Sequence, residues 1–181
     1  MSTSAITWQD IEQLPDDGRR YEAIEGDLYV TAAPSFRHQR VSLLLCVALY
    51  RILEEPGHGI VVSAPCGVQF PSTGEGVQPD LLFISTARRR IVGEAGVSGA
   101  PDLVIEILSP TTSRRDRGIK KRLYERQGVH EYWIVDIDAA SVEVWRFGAD
   151  PDFERYTESL PVFVDGASVG AVDLAGIFTT D

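Results

Sequence analysis

Glu106 is the residue in unexpected company. It lies inside Leu103-Val104-Ile105-Glu106-Ile107-Leu108, an apolar run of the kind that forms a strand covered on both faces. An ionised carboxylate there is unfavourable unless it is paired or bound to a metal. Facing an open strand edge, or meeting an arginine, would also satisfy it. Asp80 stands at the entrance of a second such run, Leu81-Leu82-Phe83-Ile84, directly after Pro79, where ordinary turn chemistry also places an aspartate. Two carboxylates on neighbouring strands supply oxygen ligands of the sort a hard cation such as Mg²⁺ takes, with water and phosphate completing its shell. Downstream, Asp116, Lys120, Leu123 and Tyr124 fall at i, i+4, i+7 and i+8, along one side of a helix. Leu123 turns that side to the core, which carries Lys120 and Tyr124 toward the sheet. A snorkelling Lys120 paired with Asp116, or a capping box from Ser113 to Asp116, gives the same residues purely structural roles.

The elements that must position these groups follow from the pattern around them. A short helix is predicted over 7–14, with Thr7 as N-cap and Asp10 three residues on, ended by Pro15-Asp16-Asp17-Gly18. Strands over 21–24 and 28–31 flank Glu25-Gly26-Asp27 as a hairpin. Ser35 caps a helix over 36–54, whose Val41, Leu44, Leu45, Ala48 and Ile52 repeat at helical spacing. Strands over 60–63 and 67–70 follow, then a polar loop over 71–76 and the apolar strand over 81–84. Residues 88–99 are basic, then glycine-rich, and are expected at the surface. The strand over 103–108 stops at Ser109-Pro110, and the helix over 113–127 stops at Gly128. Strands over 132–135 and 142–147 pair across Asp138-Ala139-Ala140, the second alternating. The tail, 148–181, holds strand-like pieces over 153–156 and 162–164 and a closing segment over 172–178. The order gives an α/β (α+β) fold with a mixed central sheet, and 181 residues suit a single domain over 1–181.

Composition bounds the function classes. Lys plus Arg is 17 against 27 Asp plus Glu, a formal charge of -10, which argues against non-specific adhesion to nucleic acid or to an anionic membrane. A local basic strip or a bound metal can still act inside an acidic whole. Cys46 and Cys66 have no zinc-site or disulfide spacing, and such usage fits a reducing cytoplasm. Met1-Ser2-Thr3-Ser4 carries no basic then apolar leader. The apolar stretch over 41–50 is about half of the roughly 20 residues a membrane span needs.

The runs Val77-Gln78-Pro79-Asp80-Leu81-Leu82-Phe83-Ile84 and Ala100-Pro101-Asp102-Leu103-Val104-Ile105-Glu106-Ile107-Leu108-Ser109-Pro110 resemble the Uma2 family of restriction-endonuclease-like proteins. So do the helix with Asp116, Lys120 and Tyr124 and the following Gly128-Val129-His130-Glu131-Tyr132-Trp133-Ile134-Val135-Asp136. Upstream, Tyr21-Glu22-Ala23-Ile24-Glu25-Gly26-Asp27-Leu28, Pro34-Ser35 and His38 match the same pattern, so the resemblance covers about 8–147. It implies a restriction-endonuclease-like mixed central sheet flanked by helices, of the PD-(D/E)xK superfamily. It further implies that Asp80 and Glu106 hold Mg²⁺ or Mn²⁺, with the Ile107 carbonyl as a further ligand. The superfamily expects lysine two residues after the glutamate, where this chain has Leu108. The resemblance moves that role to Lys120, because Lys121 is turned about 100° away on a helix.

The activity so implied is metal-assisted hydrolysis of DNA phosphodiesters. Asp80, Glu106 and Lys120 form the catalytic set, and Glu22, His38 and Tyr124 are accessory groups. Glu22 is equally placed as a surface charge of the hairpin, His38 as an exposed or capping residue and Tyr124 as a core aromatic. Arg114, Arg115 and Arg117, with Arg88–Arg90, could follow a phosphate backbone or simply form a solvated charge run. A homodimer paired through a hairpin or the C-terminal segment is a family-level expectation. The charge of -10 and Leu108 support a second reading, a catalytically inactive module binding nucleic acid or protein. A metal-free hydrolase built on two carboxylates, as in glycoside cleavage, lacks an aromatic sugar platform here.

Overall fold

The computed structural model describes residues 5–15, 17–149 and 153–179. The N-terminal tetrapeptide and Asp16 of the predicted helix stop lie outside the described residues, as do 150–152 and 180–181 of the tail.

Three apolar runs that read as buried strands form the middle of a six-stranded sheet. They are β6 (Leu81–Ser85), β8 (Leu103–Ile107) and β9 (Glu131–Asp136). The sheet order is β11-β10-β9-β8-β6-β3, with β3 at Gly59–Ser63, β10 at Ser141–Arg146 and β11 at Phe153–Tyr156. β8 and β9 run parallel and the other pairs antiparallel, so the sheet is mixed. Period-two alternation splits each strand between two cores. Leu81, Phe83, Leu103, Ile105, Ile107, Trp133 and Val135 face one side, where they meet Val41, Leu45, Leu49 and Leu53 of the long helix and the C-terminal segment. Leu82, Ile84, Val104, Tyr132 and Ile134 face the other, against Leu123, Tyr124 and a second sheet.

The long helix is α2 (Phe36–Leu49), which continues as a wider turn over Tyr50–Glu54. The Ser35 hydroxyl accepts from the His38 N–H at 3.2 Å, a cap contributing about 1 kcal/mol. The buried stripe runs Val41, Leu45, Leu49, Leu53. It is rotated from the predicted one, and Leu44, Ala48 and Ile52 are only partly covered. At the chain's end β12 (Ser159–Val164) and β13 (Ala167–Asp173) form a separate hairpin, and α5 (Leu174–Phe178) closes the first core.

The second sheet has order β2-β1-β5-β4-β7: β1 is Arg20–Ile24, β2 Asp27–Thr31, β4 Val68–Phe70, β5 Glu75–Val77 and β7 Val97–Ser98. Its hairpin turns at Glu25 (φ 53°) and Gly26 (φ 82°), the left-handed pair that suits the twist of a two-residue connection. The polar loop predicted over 71–76 is wrong at its end, because Glu75-Gly76-Val77 is a fully buried strand. Its glycine is the reason: a Cβ at Gly76 would lie 2.1 Å from the Trp8 indole, and one at Gly67 2.5 Å from it. These two glycines make the floor on which Trp8 of α1 (Trp8–Ile11) packs, and α1 is accordingly shorter than predicted. The Asp10 carboxylate accepts from the Thr7 N–H at 2.8 Å, completing the expected capping box. The segment over 88–99 lies at the surface as expected, apart from Val97, which is buried in β7; a 3₁₀ turn spans Thr86–Ile91.

The helical stretch over 113–127 is present in three parts. α3 (Ser113–Arg115) leads into a π-type turn over Asp116–Lys120 and then α4 (Lys121–Gln127), closed by Gly128 at φ 83°. Thr112, not Ser113, precedes the first turn, and no side chain caps it, so the predicted Ser113–Asp116 capping box is absent. Glu143 interrupts the predicted alternation of β10, because it is buried against Arg117 and Arg155.

Candidate active site

At one end of the six-stranded sheet, β6 begins beside the last residues of β8. Leu81 pairs with Ile105 and Leu82 with Val104. One further step of that antiparallel register sets Asp80 opposite Glu106. The two carboxylates therefore come together from strands that are adjacent in the sheet but distant in sequence. They line a cleft of about 530 Å³ that also receives Glu22 and Arg20 from β1, His38 from α2, and Arg115, Asp116 and Lys120 from the helix.

Lys120 lies at the centre. Its Nζ is 2.7 Å from Glu106 Oε1 and 2.7 Å from Glu22 Oε1, and 4.0 Å from Asp116 Oδ1. The Tyr124 hydroxyl donates to Glu106 Oε1 at 2.6 Å. The widened turn over Asp116–Lys120 carries Asp116 and Lys120 into the interior along with Tyr124. The Tyr132 hydroxyl donates to the Asp116 carbonyl at 3.1 Å from the sheet below. Lys121 is turned away, with its ammonium 3.3 Å from the centre of the Trp145 ring.

Glu22 also accepts from the Gln78 N–H at 3.0 Å through Oε1. Its Oε2 is buried without a hydrogen-bond partner, as is Asp116 Oδ1. Asp80 is held on all sides. Arg20 Nη1 reaches Oδ1 at 2.5 Å, the Ile107 N–H donates to Oδ2 at 2.8 Å, and His38 Nε2 lies 3.2 Å from Oδ2. The same His38 nitrogen is 3.1 Å from the Ile107 carbonyl, while its Nδ1 is buried and unpartnered.

These surroundings drive the acids apart. Burial alone would raise the Asp80 carboxyl, but His38 and Arg20 outweigh it and bring it down to about 2. Burial raises Glu106 to about 8, with Lys120 opposing and the charges of Asp116, Asp80 and Glu22 adding to the rise. Burial would lower Lys120, but its three acidic neighbours reverse that and keep it a cation. Carboxyls driven apart in this way within one cleft are a feature that functional sites share with structural ion-pair networks.

The donor set suits a hard cation. Four carboxylates, Glu22, Asp80, Glu106 and Asp116, are buried here, and two of their oxygens lack partners. Among the described residues no group of three or more His, Cys, Asp or Glu side chains forms a ready-made metal cluster. Two carboxylates and a backbone carbonyl remain, and that is a sparse oxygen set of the kind Mg²⁺ accepts while keeping waters.

The structure thus brings Asp80, Glu106, Lys120, Glu22, His38 and Tyr124 together. It separates the arginines. Arg115 enters the cleft, with Nη2 2.5 Å from Thr31 Oγ1 and 3.7 Å from Glu22 Oε2. Arg117 pairs with Asp136 at 3.1 Å and with Glu143, and Arg114 is exposed. Arg88 is tied to the Ala100 carbonyl at 3.0 Å, away from the cleft. Arg20 was not singled out from the sequence. Its signal was its spacing: it precedes Glu22 by two residues, which on a strand is the same face.

A family model, Uma2, described as "Putative restriction endonuclease", matches residues 8–169. The chain is 25% identical over 135 residues to "Uncharacterized protein slr1290" of Synechocystis sp. (strain ATCC 27184 / PCC 6803 / Kazusa), covering 74% of this chain and 70% of that protein. The structure is similar to the crystal structure of a "putative nuclease belonging to DUF820" from Anabaena variabilis ATCC 29413. The TM-score is 0.77 at 20% identity, over 96% of this chain and 97% of that one. That likeness establishes a restriction-endonuclease-like fold. No helix among the described residues is long and apolar enough to cross a membrane.

Proposed function

We propose, for a chain that belongs to the Uma2 family, a divalent-metal-dependent endonuclease that hydrolyses phosphodiester bonds in DNA. The observation that carries this reading is the surplus of buried carboxylate around a single buried lysine: Glu106 and Glu22 share Lys120 at 2.7 Å each. Asp80, Glu106 and the Ile107 carbonyl would hold Mg²⁺ or Mn²⁺. When bound, such an ion polarises a phosphoryl oxygen and makes water a nucleophile near neutral pH. The rest falls to the chain's own groups. An ammonium fixed between two carboxylates has hydrogens to donate and no lone pair to accept one, so Lys120 orients the attacking water and stabilises charge on the phosphate. Glu22 and Glu106 fix its direction, and the Tyr124 hydroxyl holds Glu106 in turn. Arg115, at the wall of the cleft, is placed for a neighbouring phosphate. The test is nicking of supercoiled plasmid in Mg²⁺ or Mn²⁺ and in EDTA, with Asp80→Asn and Glu106→Gln beside the unaltered chain. Cleavage should require the metal and both carboxylates. Failure to cut supercoiled, linear and single-stranded DNA with either metal, or cutting that survives both substitutions, sinks the reading.

A second reading has its own observation. Both Asp80 oxygens already have partners, so this carboxylate is satisfied without a metal, as in an inactive module that binds nucleic acid or protein. Duplex binding that is indifferent to Mg²⁺, without turnover, would favour it.

A further inference from the structure

We propose that Arg20 is a resident counter-cation for Asp80, one that a divalent ion must displace and whose freed guanidinium then grips a phosphate of the substrate. The inference rests on the metal-dependent reading above and deepens it. Asp80 Oδ2 is engaged by the fixed Ile107 amide at 2.8 Å and by His38. Oδ1 is engaged by Arg20 alone, at 2.5 Å. The amide is neutral and belongs to the strand, so it does not compete for the carboxylate as a mobile cation does. The guanidinium carries a full charge of the same sign as a metal ion, so the two compete for one carboxylate. Arg20 feels Glu106 and Glu22 as well, which makes it part of the charge balance of the whole cleft in the absence of metal.

Its placement allows the exchange. Arg20 is the first residue of β1, and its side chain is 20% exposed against 4% for Asp80. The stem can swing toward the open cleft while the strand stays in register through Tyr21–Val30 and Glu22–Tyr29. A planar guanidinium matches phosphate oxygens two at a time, whereas Lys120, enclosed by acids, cannot leave its place. Removal of Arg20 therefore has two effects of opposite sign: the metal binds better and the nucleic acid binds worse. A pair that served only to stabilise the fold would weaken both.

The experiment uses the full chain, stripped with EDTA. Mn²⁺ is titrated calorimetrically without DNA, and a short duplex is titrated by fluorescence anisotropy in Ca²⁺. Arg20→Ala should bind Mn²⁺ about tenfold more tightly than the unaltered chain and the duplex about tenfold more weakly, a coupling of ordinary size between sites. Arg20→Gln keeps the stem and a donor for Asp80 but no charge. It should shift both affinities in the same directions, and it decides the matter if the alanine variant does not fold. Arg20→Lys should leave Mn²⁺ affinity near that of the unaltered chain. Unchanged or weaker Mn²⁺ binding in the neutral variants, with binding still abolished by Glu106→Gln, overturns the counter-cation role and leaves the metal-dependent reading standing. Absence of Mn²⁺ binding in every variant overturns both.

Discussion

The two ends of the six-stranded sheet each hold a hollow lined by acids: Asp102 and Glu131 of the larger one are half-buried, whereas Glu22, Asp80, Glu106 and Asp116 of the smaller are buried. At the end where β8 and β9 begin, a cavity of about 700 Å³ is lined by Asp102, Glu131, Arg146 and several aromatic rings. There Glu131 and Asp102 each have a neutral N–H of their own besides an arginine. Glu131 takes the Trp133 indole N–H at 2.5 Å and Arg146 Nε at 3.2 Å. Asp102 takes the Ser85 N–H at 2.7 Å and faces Arg88 at 3.4 Å. At the other end, in the cleft of about 530 Å³, two glutamates share one lysine and two carboxylate oxygens are buried without partners. Volume would choose the first hollow as the site. Charge balance points to the second as the candidate, since buried charge short of partners is unfavourable and clusters at functional sites.

The comparison breaks most visibly at its cations. Lys120→Met leaves Glu22 and Glu106 buried together without a cation, and should lower unfolding stability by about 3 kcal/mol while abolishing metal-dependent nicking. Arg146→Met removes the far-end cation from acids that are partly open to water, Glu154 above all, and should lower stability by only about 1 kcal/mol with nicking intact. Urea unfolding monitored by tryptophan fluorescence, together with plasmid nicking, checks both. Equal losses from the two substitutions would erase the distinction between the ends.

The acids give the next contrast. Asp80→Asn or Glu106→Gln should slow nicking by about 100-fold or more, whereas Glu131→Gln, equally conservative and also in a strand of this sheet, should leave the rate unchanged. Slower nicking by Glu131→Gln would mean that the larger hollow takes part in that activity.

Much of this difference was legible in the sequence, through residues that contradict their surroundings. Glu106 inside an apolar strand and Lys120 on the core-facing side of a helix announced themselves. The i, i+4, i+8 spacing of Asp116, Lys120 and Tyr124 carried through a turn whose π-type geometry no local pattern reveals. Gly128 marked its stop without ambiguity. What stayed hidden depends on tertiary contact. β5 has no hydrophobic signature beyond Val77, because Glu75 is buried by Arg126 and Gln127 and Gly76 by Trp8. The second sheet, and with it the route by which Glu22 and Arg20 reach the cleft, could not be read without that strand. Asp102 shows the opposite hazard: it follows Pro101 as Asp80 follows Pro79, yet it serves the other end of the sheet.

The smallest effect is also the most discriminating, because it runs in opposite directions for Glu131 at one end and Asp80 at the other. Burial lifts the Glu131 carboxyl above its ordinary range, with the Trp133 and Arg146 contacts opposing. The folded chain therefore binds that proton more tightly than the unfolded chain. Its stabilising effect is complete below the unfolded value near ~4.3, and is lost as pH rises through the folded value. Asp80, brought down to about 2, behaves in reverse. Its contribution is complete above the unfolded value near ~3.9 and is lost as pH falls through the folded one. In EDTA, the stability of the unaltered chain relative to Glu131→Gln should thus climb as pH is lowered from 7 toward ~4.3. Over the same interval its stability relative to Asp80→Asn should stay level, then fall below ~3.9. Urea midpoints taken across this range give both curves. Two curves of the same slope would mean that the acids at the two ends are held by the same balance of burial and charge, and the contrast between them would be lost.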